Sequence, residues 1–196
     1  MSLFVLEDPD AVFIHIPKTG GTSIRQGVWQ RRYNGPHIEL PKSAQGLFTF
    51  AFVRHPLDRF VSCWKMYSAG AKNDPRPGDW NGIVKARLRL EDLVDITLDE
   101  SVSPLDRTTL HGRIRHHTIP QTHPTNLLHL AEFVGRFESI DRDFAFIRNK
   151  LSIAVDLPHM RKTAHQRYHQ ELPNAVIDKL ASFYAEDLKR LNYSMQ

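Results

Sequence analysis

The segment Phe13-Ile14-His15-Ile16-Pro17-Lys18-Thr19-Gly20-Gly21-Thr22-Ser23-Ile24-Arg25 runs from an apolar strand into a Lys, two glycines and two hydroxyl residues, and then into a helical pattern. That order builds a phosphate cradle. Glycines let the backbone turn its N–H groups inward, and the new helix adds its positive end. Lys18 supplies a compact, mobile charge for an anion. The order departs from the nucleotide-triphosphate loop G-x-x-x-x-G-K-[ST], because Lys18 precedes Gly20 and Gly21. The plainer alternative is a Gly-rich turn that only joins a strand to a helix.

Outward from this segment, strands alternate with helices. Ala11–Ile16 reads as a buried strand, and a helix from Thr22 to about Arg32 follows, with Ile24 and Val28 on one face. Leu47–Val53 is a second buried strand. Pro56 then opens a helix that carries Leu57, Phe60, Val61, Trp64 and Tyr67 at helical spacing. Ala69–Trp80 reads as a loop, Leu90–Ile96 as a short helix, and Ser101–Thr125 as a long irregular loop with at most a helical turn. Leu130–Phe137 contains a third strand, Asp141–Leu151 a helix, and a last helix starts near Pro173 with Val176, Leu180, Phe183, Tyr184, Leu188 and Leu191 on its apolar face. The alternation predicts an α/β fold with a parallel sheet and helices on both faces, and ligands in such sheets bind beyond the carboxyl ends of the strands. The segment Phe50–Ser62 repeats the strand–turn–helix design, with Arg54 at the strand's end and Ser62 on the second helical turn. An Arg fork and a hydroxyl can hold a phosphate by charge-assisted hydrogen bonds. The competing reading has Arg54 and Arg59 in surface pairs with Asp58 and its neighbours.

The Pro17–Ser23 order resembles the phosphosulfate loop of sulfotransferases that use 3′-phosphoadenosine 5′-phosphosulfate (PAPS), nearest to their carbohydrate and heparan-sulfate branch. The Arg54–Ser62 spacing resembles the family segment that grips the 3′-phosphate. Val134–Glu138 with Asp143-Phe144 resembles a late strand–helix segment, and the stretch from Leu157 to Tyr193 resembles the C-terminal part. The resemblance implies a P-loop-like three-layer α/β/α fold with a central, mainly parallel sheet. It implies sulfuryl transfer from PAPS to a hydroxyl acceptor, a carbohydrate or glycolipid. Lys18, Thr19, Gly20, Gly21, Thr22 and Ser23 are carried onto the 5′-phosphosulfate, Arg54 and Ser62 onto the 3′-phosphate, and Arg161, Lys162 and Thr163 onto a late loop over the nucleotide. His117-Thr118-Ile119-Pro120-Gln121 resembles an acceptor-side His-x-x-Pro-Gln segment. Lys18 and His117 are therefore the catalytic candidates, with His116 as substitute base and Glu138 and Glu39 left open. Residues 101–125 become the acceptor-side loop.

The remaining properties narrow the classes. With 196 residues, 41% hydrophobic and 24% charged, the chain is expected to form one globular domain over residues 1–196. It has no apolar run long enough to span a membrane and no basic, long-apolar start of the secretory kind, so it is expected to be cytoplasmic or a trimmed catalytic domain. The single cysteine, Cys63, excludes an internal disulfide and a cysteine-based metal site. No HExxH pattern occurs, and adjacent His116 and His117 do not suit one ion, so no metal is expected. A formal charge of +4 suits an anionic ligand, but the basic residues are scattered, which argues against nucleic acid. Two other functions compete. A P-loop kinase or nucleotide hydrolase needs Gly-Lys-Ser/Thr order and an acidic Mg²⁺ ligand at a strand end, yet Val53 leads into Arg54. A non-catalytic anion-binding module of the same fold needs only the cradle.

Overall fold

Large apolar residues alternate between the two faces of one four-stranded sheet. Its strands β1 (Ser2–Glu7), β2 (Asp10–His15), β3 (Phe48–Val53) and β4 (Phe133–Arg136) lie side by side in chain order. β2, β3 and β4 run parallel, with Ile14 opposite Ala51 and Val53 opposite Arg136, while β1 joins β2 antiparallel, Phe4 opposite Phe13. The helices, in chain order, are α1 (Gly21–Gly27), α2 (Pro56–Ala69), α3 (Leu90–Leu98), α4 (Leu110–Thr118), α5 (Ile140–Lys150), α6 (Tyr168–Glu171), α7 (Asn174–Phe183) and α8 (Ala185–Arg190). A computed structural model describes residues 2–7, 10–27, 39–69, 88–154, 157 and 167–195. They belong to two units, Met1–His55 with Gln121–Lys162 and Pro56–Pro120 with Thr163–Gln196.

The first unit holds the sheet. On one face Phe4, Phe13, Phe50 and Phe52 pack against Ile24 of α1 and Phe144 and Ile147 of α5. On the other, Leu3, Val12, Ile14 and Ala51 pack against Ala44 and Leu127 from short 3₁₀ turns. Burial on both faces is why these strands read as continuous apolar runs. The second unit is helical among the described residues. Leu57, Phe60, Val61 and Tyr67 of α2 form its core with Leu93, Val94, Ile114, Tyr168, Leu180 and Tyr184.

The fold class is α/β with a mainly parallel sheet, as expected. Three elements differ from the sequence reading. β1 was not anticipated. The 101–125 stretch, read as irregular, contains the nine-residue α4, opened by the Thr109 hydroxyl accepting the Gly112 N–H. Its buried residues include Arg115 and His116, so no apolar stripe marks it. The C-terminal helix is two helices, α7 and α8, separated at Tyr184. The expected helix from Thr22 is described as far as Gly27. Most of the Ala69–Trp80 loop lies outside the described residues.

Candidate active site

Because β2, β3 and β4 run parallel, the segments that follow them leave from the same edge of the sheet. After β2 comes the Ile16–Gly20 turn. Thr19 is fully buried and its hydroxyl donates to the Ile16 carbonyl at 2.8 Å, which closes the turn. Lys18 on one side of it has φ 71° and Gly20 on the other has φ 85°. The left-handed region costs an L-residue roughly 1–2 kcal/mol, and such cost concentrates at functional sites. Gly20 is also sterically required, since a Cβ there would lie 2.6 Å from Ile140 Cδ1 and 3.2 Å from Phe137 Cδ2. At Gly21 a Cβ would come within 2.0 Å of the His15 ring. The backbone of the turn thus rests directly on three side chains. α1 begins at once, with the Ser23 N–H donating to the Gly20 carbonyl at 3.0 Å, and Thr22 and Ser23 are partly exposed. The opening N–H groups of a helix have no intrahelical acceptor, so this is where an anion is best met.

After β3 comes Arg54, which is 9% exposed and therefore not a surface residue. Its backbone is gripped by the fully buried side chain of Gln121. The Arg54 N–H donates to Gln121 Oε1 at 2.9 Å, and Gln121 Nε2 donates to the Arg54 carbonyl at 2.8 Å. The Arg54 guanidinium lies 4.3 Å from the centroid of the Phe137 ring, a cation–π distance. Phe137 is also the ring against which Gly20 packs, so one aromatic side chain contacts both Arg54 and the turn. After β4, Glu138 accepts the His55 N–H at 2.7 Å. Asp143 of α5 accepts the Arg136 N–H at 2.7 Å, the Ser139 hydroxyl at 2.9 Å and Arg142 Nε at 2.8 Å. Partial burial alone pushes the Asp143 carboxyl up. The bonds from Arg136, Arg142 and Ser139 outweigh it and hold the group below the ordinary aspartate value.

Ser62, His116 and His117 lie in the second unit. Ser62 is buried on α2. Arg59, which the competing reading paired with Asp58, turns its guanidinium to the carboxyl end of α4. Nη1 donates to the His117 carbonyl at 2.8 Å, and Nη2 donates to the carbonyls of Thr118, at 3.3 Å, and Ile119. Asp58 accepts the Tyr168 N–H. His117 is partly exposed, and its Nδ1 lies 2.7 Å from the Arg113 carbonyl and 3.2 Å from the Tyr67 hydroxyl. A carbonyl only accepts, so Nδ1 carries the proton and Nε2 the lone pair. Burial, and then Cys63, push the Tyr67 phenol far up, so it stays protonated. His116 is buried, with Nε2 at 3.5 Å from the Arg107 guanidinium, which leaves His117 the better-presented ring. Glu39 and Glu138 are exposed. Arg161, Lys162 and Thr163 lie outside the described residues.

The sequence reading missed Gln121, Phe137 and Arg59 as site-building residues. The Pro120-Gln121 pair was in view, but an amide that grips a backbone 67 residues away leaves no local pattern. Among the described residues, no group of three or more His, Cys, Asp or Glu side chains is placed to hold a metal ion, and no helix is long and apolar enough to cross a membrane.

No curated protein and no solved structure matches the chain. A family model described as the sulfotransferase family matches residues 25–194. The match begins just after the Lys18–Ser23 turn, so the turn is a separate observation, while Arg54, Ser62 and His117–Gln121 all fall within it. A match over that much of the chain establishes that the protein belongs to the sulfotransferase family.

Proposed function

We propose that the protein transfers a sulfuryl group from PAPS to a hydroxyl of a saccharide. One observation carries the reading. The Phe137 ring touches both the Arg54 guanidinium and the Gly20 position of the turn, which supports two anion contacts at neighbouring strand ends. A donor with a 5′-phosphosulfate and a separate 3′-phosphate needs two such contacts. Gly20 and Gly21 are required there by packing, since a side chain at either would collide with Ile140 and Phe137 or with His15.

Bound there, the donor supplies an activated sulfur and a nucleotide leaving group. Backbone N–H groups of the turn, with Thr22 and Ser23, hold the 5′-phosphate. The Thr19 hydroxyl, committed to Ile16, keeps the turn closed, so the part taken by Thr19 is its backbone. The Lys18 ammonium meets the charge that grows on the bridging oxygen as the S–O bond breaks. Arg54, with Ser62 by family resemblance, holds the 3′-phosphate, and Arg161, Lys162 and Thr163 are assigned to the nucleotide on the same ground. His117 Nε2 takes the acceptor's proton as its oxygen bonds to sulfur, and the Nδ1–H bond to Arg113 fixes that tautomer. No step calls for a metal.

The test is transfer of labelled sulfuryl from PAPS across a panel of saccharides, for the wild type and His117→Gln. The reading expects at least one acceptor to be labelled, and the variant to lose roughly 10²–10⁴-fold in rate, the usual worth of a general base. Donor binding without transfer to any acceptor would favour the non-catalytic module instead. Full turnover by His117→Gln would remove His117 as the base.

A further inference from the structure

We infer that Gln121 is the positioning residue for Arg54, and so sets the protein's discrimination for a 3′-phosphate on the donor. The inference rests on the donor reading above. β3 ends at Val53, the last residue of the ladder with β4, so Arg54 lies one step beyond the regular pairing. Its N–H and C=O still need partners. The Gln121 carboxamide offers the same donor–acceptor pair as a peptide group and takes both, at 2.9 and 2.8 Å, with no solvent exposure of its own. The bond pair therefore acts as an extra rung, supplied by a side chain.

The consequence lies in the arginine. A free Arg side chain carries considerable rotamer entropy, which a ligand must overcome to hold it still. Here the residue is fixed at both ends, with its backbone in the Gln121 grip and its guanidinium on the Phe137 ring at 4.3 Å. The fork is organised before any phosphate arrives, which converts more of each charge-assisted bond into affinity. Glutamine is suited to the role by chemistry. Glutamate of the same shape keeps the acceptor but cannot donate to the Arg54 carbonyl, and leucine offers neither bond.

The experiment compares 3′-phosphoadenosine 5′-phosphate with adenosine 5′-phosphate by calorimetry on the full chain. The ratio of their dissociation constants isolates the 3′-phosphate. It is measured for the wild type, Gln121→Leu, Gln121→Glu, Arg54→Ala and the double variant Gln121→Leu/Arg54→Ala, with folding checked by thermal denaturation. The expected result is a ratio that falls roughly tenfold or more in Gln121→Leu, with adenosine 5′-phosphate binding little changed. Gln121→Glu should fall between wild type and Gln121→Leu, and it carries the test alone if the leucine variant does not fold. In the double variant, Gln121→Leu should add nothing to Arg54→Ala, because it acts through that residue. Equal losses for both ligands, or additive losses in the double variant, would show only a structural role and overturn the inference. A large wild-type ratio that survives both Gln121 variants overturns it too, and leaves the donor reading standing. A wild-type ratio near one overturns the donor reading and the inference together.

Discussion

Lys18 is held at φ 71°, where an L-residue is strained, just before the buried Thr19, on whose other side Gly20 tolerates the same region at no cost. Glycine would be the more stable choice at Lys18 itself. It would recover the roughly 1–2 kcal/mol of left-handed strain and return about 0.5–1 kcal/mol as backbone entropy. A lysine retained there points to its charge. Lys18→Gly is therefore expected to unfold at a higher denaturant midpoint than the wild type, by about 0.5–1 kcal/mol, and to lose transfer activity. Lys18→Ala should lose activity by roughly 10²–10³-fold in kcat, the range for removing one preorganised charge-stabilising group. Binding of 3′-phosphoadenosine 5′-phosphate should suffer much less. Equal losses in kcat and in nucleotide affinity would mean that Lys18 only binds. The order of Lys18, Gly20 and Gly21 pointed to an anion site and Arg54 to a second contact, because both are local patterns with a mechanism attached. The grip of Gln121 and the stacking of Phe137 were not legible, since each joins residues that only the folded chain brings together.

At the scale of elements, α4 shows why the 101–125 stretch misled. A helix usually declares itself by an apolar stripe, but α4 buries Arg115 and His116 beside Ile114. Its carboxyl end is secured by polar bonds from distant elements: Arg59 to the His117, Thr118 and Ile119 carbonyls, and the Tyr184 hydroxyl to Thr118 at 2.5 Å. Arg59 therefore complements the negative end of the helix as well as its last carbonyls. Arg59→Met keeps the buried stem and strands those acceptors. It should lower stability by roughly 3 kcal/mol, read as a fall in urea midpoint. An unchanged midpoint would contradict this account of how the His117 segment is held. The periodicity of the C-terminal helix, by contrast, was correctly read and its break was not, because Tyr184 interrupts the backbone without disturbing the spacing of Leu180, Leu188 and Leu191. α5 carries a pH prediction. The folded-state pKa of Asp143 is depressed, so its contribution is complete above the unfolded value of about 3.9 and is lost as pH falls through the lower folded value. Asp143→Asn should be less stable than wild type at neutral pH, and the difference should shrink below about pH 4. A constant difference from pH 7 to pH 2.5 would show that the carboxylate's charge is not what matters there.

At the scale of the molecule, alternation of strand and helix was enough to read an α/β fold with a mainly parallel sheet. β1 escaped because a six-residue strand with four apolar residues carries no sign of which edge it will join. The division into two units was also not visible, since it follows no change in composition. The proposed site lies at the carboxyl ends of β2, β3 and β4, in a chain with a net charge of +4 and membership of the sulfotransferase family. The central claim is that this site holds an adenine nucleotide at two phosphate positions and needs no metal to do so. Calorimetric titration of the full chain with 3′-phosphoadenosine 5′-phosphate in the presence of EDTA, and separately with ATP and Mg²⁺, tests it most directly. The account predicts tight, metal-independent binding of the first and weak binding of the second. Mg²⁺-dependent preference for ATP, with no binding of the 3′-phosphorylated nucleotide, would contradict it.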